Sequence, residues 1–297
     1  MEYFVNYPAG GSVKPGVWAE AREAEGWHGV CASDHLWVGT TRYPHVFVAA
    51  TQMACATSKV KITTSFCNNL FRSPVEFAQA ALAIQDASNG RFEAGLGAGW
   101  LRDEIEAMGG TYPDGPGRVG RYIEALQIVR ALLRSGQCTF SGKYYQVDIH
   151  GDQQLTPLST SPPPLIAAAG GPVALRGVTP LVDRVEIKAN SRSTRVGHLD
   201  FPIMATITEA EIREQVARVR RVDATMPLGI FILVAAGDSA AVKGMKSALG
   251  NGYLARFMGQ PDVVAEHLLA LGDLGISRVQ LTELVPGTHS LLASHLL

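Results

Sequence analysis

The sequence predicts a single (β/α)8 barrel that extends over residues 1–297. Three observations support this α/β fold: eight strand-like runs, helical patterns between most of them, and no segment with the composition of a linker. Barrels of this length commonly form one domain. Eight repeated units favour the closed TIM barrel over an open doubly wound sheet. We expect loop insertions at its C-terminal face, where the strands end.

The strand-like runs are short, rich in valine, isoleucine or alanine, and bounded by polar or glycine-containing turns. They are residues 3–5, 29–33, 60–66, 92–96, 165–169, 184–189, 228–235 and 279–283.

The helical patterns lie between these runs, at residues 17–25, 46–56, 74–87, 119–133, 208–222 and 262–274, with a further helix beginning at Leu101. Ser73 and Glu76 have the spacing of a capping box, and Gly136 ends the longest helix. Residues 139–147 are expected to form a hairpin outside the barrel. Residues 192–204 and 244–257 are less regular, and we expect loops or short helices there, over the barrel mouth.

The composition is that of a globular protein with a large core, because 46% of the residues are hydrophobic and 18% are charged. A net charge of -1 gives no reason to expect nucleic acid or an acidic membrane as a partner. No apolar run is long enough for a membrane span, and the first residues do not form a signal peptide, so a cytoplasmic protein is expected. The four cysteines are scattered and predict neither a metal site nor redox chemistry.

Polar side chains follow several of the predicted strands, where the active sites of such barrels lie. Asp34 and His35 follow the second strand. Removing such a charged pair from water costs free energy, which favours a functional role for it. The alternative is a carboxylate that accepts backbone N–H groups beside an exposed histidine. Other candidates at strand ends are residues 65–69, 97–100, Gly170, Gly171, Asn190, Arg192 and Glu283.

Two glycine-rich turns lead from a strand into a helix, at residues 95–99 and 169–174. Such turns let backbone N–H groups approach an anion closely, with the N-terminus of a helix behind them. The alternative for each turn alone is a tight corner that needs small residues. Together they predict a ligand that carries a phosphate.

Four motifs occur in one order: ASDHL at 32–36, TSF with RSP at 64–74, NGRFxxGLGAGW at 89–100 and AAGGP at 168–172. Together they resemble the bacterial luciferase-like flavin and deazaflavin oxidoreductase superfamily. The helix at 123–133 and FSGKYY at 140–145 also resemble that superfamily. The resemblance covers about residues 15–190 and is weaker in the last two strands.

The resemblance implies a homodimeric barrel that binds a flavin-type tricyclic ring at its mouth. The Ser-Asp-His sequence is most similar to the branch that uses the deazaflavin coenzyme F420. That branch implies that Asp34 binds the cofactor and that His35 is the catalytic proton donor or acceptor. It also implies a cis peptide bond between Ser65 and Phe66. The remaining cofactor-binding residues implied are Asn68, Ala98, Gly99 and Asp103 at the ring, and Gly170, Gly171, Val173 and Ala174 at the ribityl phosphate.

The sequence departs from the sugar-phosphate dehydrogenases of this branch. Trp100 stands where they have a catalytic glutamate, and Gly39 stands where they have an aromatic residue. Their phosphate-binding lysines have no clear counterpart, so a sugar-phosphate substrate is not expected. Glu104 and Glu106 are expected to cap the helix or form salt bridges. We expect four arginines in the mouth-forming loops to be solvated: Arg42, Arg192, Arg195 and Arg256. The alternative is that they bind an acidic substrate or the cofactor's polyglutamate tail.

We therefore expect an F420-dependent oxidoreductase that acts on a small molecule, with hydride transfer at the deazaflavin and proton transfer by His35. One alternative is an FMN-dependent monooxygenase that uses reduced flavin and O2. A second is a non-redox barrel that binds a phosphorylated small ligand.

Overall fold

Eight parallel strands close into a barrel in the computed structural model, which describes residues 1–8, 10, 13–155 and 159–297. Each strand pairs with the strands that precede and follow it in the chain. Leu165 of the fifth strand, for example, lies opposite Ala94 of the fourth. The strands are β1 Glu2–Asn6, β2 Gly29–Ala32, β3 Lys61–Thr64, β4 Phe92–Gly97, β5 Leu165–Ala169, β6 Arg184–Lys188, β7 Leu228–Ala236 and β8 Arg278–Glu283. The predicted (β/α)8 fold is confirmed.

The third strand falls furthest short of its predicted extent. β3 ends at Thr64 instead of residue 66, and the Ser65–Phe66 peptide bond that follows it is cis. The chain then returns as Cys67–Asn68, which pairs in parallel with Leu96 and Gly97 of β4. The cis bond lies where the resemblance implies it.

The helices surround the barrel, and most agree with the predicted segments. They are α1 Pro15–Glu25, α2 Val46–Ala56, α3 Pro74–Ala87, α4 Arg102–Ala107, α5 Gly115–Ser135, α6 Pro172–Val178, α7 Phe201–Ala205, α8 Glu209–Arg220, α9 Ala240–Leu249, α10 Pro261–Leu269 and α11 Thr288–Leu296. The predicted hairpin is confirmed as Cys138–Ser141 paired with Gln146–Ile149.

The predicted capping box at Ser73 is only half formed. Ser73 Oγ accepts the N–H of Glu76, but the Glu76 carboxylate pairs with Arg72 Nε at 3.3 Å instead of returning to the cap. Thr208 and Glu211, in contrast, form both bonds of a capping box at the start of α8.

Two helices are not predicted at their observed extent. α9 begins before the irregular segment at 244–257, with Ser239 Oγ accepting the N–H of Val242, and α11 follows the last strand. Gly244 weakens the helical pattern of α9, and Gly287 lies directly before α11, so both sequences look like loops. The predicted helix at 262–274 divides into α10 and a 3-10 turn at Ala270–Leu274.

The base of the barrel is filled by charged side chains. Arg278 of β8 is completely buried, pairs with Glu93 and Glu2, and lies 3.9 Å from the Phe4 ring centroid. Burial opposes its charge, but the carboxylates outweigh that effect and raise the pKa of Arg278. Glu186 lies 3.9 Å from Arg278, and burial raises its pKa to about 7 despite the arginine. The interior is therefore closed at this end and available to a ligand only at the other.

Candidate functional site

The candidate site is the barrel mouth, which we define as the C-terminal ends of β1–β8 and the loops that follow them. Alternation along a strand sends every second side chain into the barrel. The loop after β2 supplies Asp34 and His35, and the loop after β4 supplies Trp100 and α4. These segments meet because β2, β3 and β4 are adjacent in the sheet.

Asp34 is buried and holds the loop after β3. Its Oδ2 accepts the Asn68 N–H at 2.7 Å and pairs with Arg72 Nη1, while Oδ1 accepts Arg72 Nη2 at 3.2 Å. Burial opposes the Arg72 charge, but these bonds prevail and raise the pKa of Arg72. Cys67 Sγ lies 3.4 Å from Oδ2, and burial raises the pKa of that thiol. Asp34 thus fixes the segment that contains Asn68, and its direct contact with a cofactor stays a prediction.

His35 is held by Glu104, a partner that the sequence analysis did not identify. His35 Nδ1 lies 2.8 Å from Glu104 Oε1, and the other carboxylate oxygen accepts the Leu36 N–H at 2.9 Å. Glu104 is 0% exposed, whereas 16% of the His35 side chain is exposed. Because a carboxylate accepts hydrogen bonds, Nδ1 carries the ring proton and Nε2 is left for a ligand. Glu104 was expected to cap the helix or form a salt bridge, and it instead forms hydrogen bonds with His35 and the Leu36 N–H at the centre of the site.

Two aromatic rings enclose the His35 ring edge to face. The Tyr43 centroid lies 5.3 Å and the Trp100 centroid 5.5 Å from that of His35. Burial, followed by the Glu104 charge, raises the pKa of Tyr43, so its hydroxyl stays protonated at neutral pH. Tyr43 places an aromatic group near the histidine although Gly39 occupies the position expected from relatives. Its only signal in the sequence was a single tyrosine, which lies directly after the short hairpin strands Trp37–Val38 and Thr41–Arg42, and sequence patterns alone do not connect it with His35.

The glycines after β4 make room for the segment after β3. A Cβ on Gly95 would overlap the Thr64 carbonyl oxygen, and one on Gly97 would lie 3.1 Å from Phe66 Cβ. Gly99 has φ +79, and a Cβ there would overlap Asn68 Oδ1. Protein packing at the mouth therefore requires glycine at positions 95 and 99 and leaves little room for a side chain at position 97. Ala98, between them, is half-buried.

The glycine pair after β5 serves two different purposes. A Cβ on Gly170 would overlap the Ser191 side chain, whereas a Cβ on Gly171 would have open space around it. Gly171 precedes α6, whose Val173 is exposed and whose Ala174 is half-buried. Gly170 also borders a pocket of about 360 Å³ whose wall includes Arg192 and Gln215. Glu211 and Glu214 also line this pocket, and phosphate binding beside the turn stays a prediction.

Several predicted residues have other roles or face outward. Asp103, in the first turn of α4, is exposed, while the next residue turns inward to His35. Glu283 accepts the N–H of His289 at 3.1 Å. Arg192 pairs with Glu211 at 3.2 Å, as expected for a solvated arginine.

Lys188 is a residue that the sequence analysis missed. It is the last residue of β6, and its Nζ lies 5.6 Å from the Trp100 ring centroid and 5.2 Å from that of Phe231. Burial lowers its pKa to about 8. A signal was present in the sequence: charged residues at 184, 186 and 188 alternate with apolar ones, which indicates a polar face turned into the barrel.

The mouth also offers polar atoms that fit a ring with carbonyl and N–H groups. Among the described residues, Ser65 Oγ, Asn69 Nδ2, Asn190 Oδ1 and Thr282 Oγ1 are buried without a hydrogen-bond partner. Buried polar groups are normally paired, so these atoms suit a polar ligand. Together with the half-buried Ala98 and the open space at Gly171, they fit a flavin or deazaflavin.

Within the described ranges, no group of three or more His, Cys, Asp or Glu side chains is placed to hold a metal ion. None of the helices that the structure describes is long and apolar enough to cross a membrane.

Comparison with known protein families identifies the family of this chain. The model of the luciferase-like monooxygenase family matches residues 16–263. The chain belongs to the luciferase-like monooxygenase family. The residues that carried the sequence resemblance lie within this match.

Two curated relatives show the range of this luciferase-like family. The F420-dependent glucose-6-phosphate dehydrogenase of Amycolatopsis mediterranei is 34% identical over 121 residues, which cover 40% of this chain and 35% of the dehydrogenase. The match thus spans about a third of that relative's length. The FMNH(2)-dependent dimethylsulfone monooxygenase of Pseudomonas fluorescens is 24% identical over 262 residues, covering 76% of this chain and 69% of the monooxygenase.

A solved F420-dependent secondary alcohol dehydrogenase, in complex with an F420-acetone adduct, has the same fold. It superposes with a TM-score of 0.74 over 99% of this chain and 97% of its own, at 17% sequence identity. At this identity the similarity demonstrates the barrel architecture alone.

Proposed function

We propose that this chain is an F420-dependent oxidoreductase in which His35 transfers a proton to or from a small organic substrate. The observation that carries the proposal is the His35–Glu104 pair at the barrel mouth, 2.8 Å apart and enclosed by Tyr43 and Trp100. Several F420-dependent dehydrogenases are 31–34% identical to this chain over parts of their length, which supports the choice of deazaflavin.

The residues that would hold the cofactor lie in three segments. Ser65, Phe66 and Asn68 would line one side of the ring. Ala98, Gly99 and Asp103 follow β4, and Gly170, Gly171, Val173 and Ala174 would hold the phosphate. When bound, the deazaflavin ring supplies the hydride chemistry of the reaction.

The contribution of the protein is proton transfer at His35 Nε2. The hydrogen bond to Glu104 holds Nδ1, so the ring presents Nε2 to the substrate in one orientation. When Nε2 accepts a proton, the buried carboxylate stabilises the positive imidazolium. The Leu36 N–H fixes the carboxylate in turn, and the two aromatic rings limit access of water.

Replacement of His35 by asparagine tests this role. We expect turnover to fall by about 100-fold, within the range of general acid–base catalysis, with little change in cofactor affinity. His198→Asn is the matched control, because His198 is exposed in the loop after β6. Unchanged turnover together with unchanged cofactor affinity in His35→Asn would contradict the assignment.

The second candidate is an FMN-dependent monooxygenase that uses reduced flavin and O2. The dimethylsulfone monooxygenase supports it, because that alignment covers more of both chains than the dehydrogenase alignments. Titration with F420, followed by quenching of its fluorescence, and anaerobic titration with reduced FMN separate the two. Binding of F420 supports the first proposal, and binding of reduced FMN with consumption of O2 supports the second. Binding of neither would favour a non-redox barrel for a phosphorylated ligand.

We also propose a homodimer, on the family resemblance alone. Light scattering coupled to size-exclusion chromatography measures the mass directly, and a monomer of 31.7 kDa would contradict the proposal.

A further inference from the structure

Lys188 projects from the last position of β6 into the barrel mouth. Its strand neighbour in β7 is Phe231, and its Nζ lies 5.2 Å from the centroid of that ring. The inward position below it, Glu186, faces Arg278 at the base of the barrel. Lys188 is therefore the uppermost inward charge of its strand and belongs to the mouth.

The ammonium group of Lys188 lacks a counter-ion. Within the described part of the chain it forms neither a hydrogen bond nor an ion pair, and its contacts are the faces of Trp100 and Phe231. The other basic groups buried near the barrel differ, because Arg72 pairs with Asp34 and Arg278 pairs with Glu93. Lys188 is half-buried, and an ammonium group bordered by aromatic rings and without a counter-ion gains from an anion that binds beside it.

Lys188 and His35 contact the same indole. The Trp100 ring lies 5.5 Å from the His35 ring and 5.6 Å from Lys188 Nζ. Lys188 and His35 therefore border the same ring at the barrel mouth, one at the end of β6 and the other after β2.

The chemistry of the position favours a carboxylate. Phosphate groups are usually held by several donors, such as backbone N–H groups at a glycine turn or helix start. Lys188 is a single point charge between two aromatic rings. One ammonium between apolar walls matches a monoanion with an apolar body.

We propose that Lys188 binds a carboxylate of the substrate, and that the substrate of this enzyme is therefore a small organic acid. The inference rests on the proposed function, since it names the substrate class for the reaction assigned to His35. Lys188 would determine specificity, while His35 transfers the proton. Burial also lowers the pKa of Lys188 to about 8, so the group is mainly cationic at neutral pH.

The test uses the full-length protein without cofactor, labelled with 13C at the ε-carbon of lysine. The probes are acetate, crotonate, benzoate and phenylacetate, each compared with its neutral primary amide. We expect at least one acid to raise the titration midpoint of the Lys188 signal by about one unit, which corresponds to tenfold tighter binding to the charged lysine. The matching amide should leave the midpoint unchanged.

Variants complete the test. Lys188→Met identifies the signal and should weaken binding of the acid about tenfold, while Lys188→Arg should retain binding. Lys143→Met is the matched control, because Lys143 also lies over an aromatic ring, Tyr144, at 5.2 Å, but on the exposed hairpin. Thermal unfolding of each variant shows whether it is folded.

The outcomes separate this inference from the proposed function. No midpoint shift with any acid, or equal shifts with acid and amide, would overturn the carboxylate site even if F420 binds. A shift caused by F420 and by none of the acids would assign Lys188 to the cofactor and also overturn it. Failure of F420 to bind, with a clear shift from an acid, would overturn the cofactor assignment while the anion site stands.

Discussion

Replacing Glu104 with glutamine removes one charge from the centre of the site and changes little in shape. The carboxylate accepts two hydrogen bonds, from the Leu36 N–H at 2.9 Å and at His35 Nδ1 at 2.8 Å. A glutamine side chain has only one oxygen, so it can accept only one of them and turns an N–H group towards the other.

The size of the effect follows from burial. Glu104 is 0% exposed, so water cannot replace the lost acceptor. A hydrogen bond to a charged group contributes about 1.5–3 kcal/mol to stability. We expect the free energy of unfolding to fall by that amount in Glu104→Gln.

The assay has two readouts, neither of which needs a known substrate. Urea denaturation measures the free energy of unfolding. Two-bond 1H–15N spectra of the histidine rings report which nitrogen carries the proton. We expect the Nδ1–H form for His35 in the original protein and a mixture of forms in Glu104→Gln.

Glu106→Gln is the matched control, because Glu106 lies on the same helix but is exposed. It should change unfolding by less than about 0.5 kcal/mol, as surface substitutions usually do. Equal effects of the two substitutions, or an Nε2–H form of His35 in the original protein, would refute the reasoning.

Three further predictions concern stability and can be measured by urea denaturation. Burial lowers the pKa of His289 from 6.5 to about 3, so between these pH values the unfolded chain binds more protons and the free energy of unfolding falls as the pH drops. His289→Leu should flatten this pH dependence, and an unchanged slope would contradict the prediction. Burial raises the pKa of Glu186 from 4.5 to about 7, so the free energy of unfolding falls as the pH rises through that interval. Glu186→Gln should remove this loss of stability, and a larger loss in the variant would count against the assignment. Gly95→Ala should lower the free energy of unfolding by about 3 kcal/mol because its Cβ overlaps Thr64, whereas Gly171→Ala, with open space and φ -79, should lower it by less than about 1 kcal/mol. Equal losses in the two variants would disprove the packing argument.

The barrel could be predicted because its determinants are local. Strands such as β5 and β7 are short apolar runs, and α8 begins at a capping box that reads directly from Thr208 and Glu211. β3 was predicted too long, because residues 65 and 66 have the composition of a strand but lie beyond its end at Thr64. The helices α9 and α11 depend on tertiary packing, which a pattern weakened by glycine does not reveal.

The sequence predicts where the site lies better than it predicts which side chains interact there. The rule that loops after the strands form the mouth identified His35 and Trp100. The pairing of His35 with Glu104 spans 69 residues and depends on which side of α4 faces inward, which sequence spacing does not state. Lys188 was missed for a different reason, because the alternation that indicates its inward direction was read only as evidence for a strand.

Because Trp100 contacts both His35 and Lys188, its fluorescence can report ligand binding at the barrel mouth. Indole emission responds to nearby charge, and this ring touches two groups whose surroundings change when a ligand arrives. The chain contains four tryptophans; Trp18 and Trp27 pack near His289, and Trp37 belongs to a short surface hairpin. Replacing those three by phenylalanine would leave one emitter at the site, so that ligands could be screened by colour and intensity without a coupled reaction.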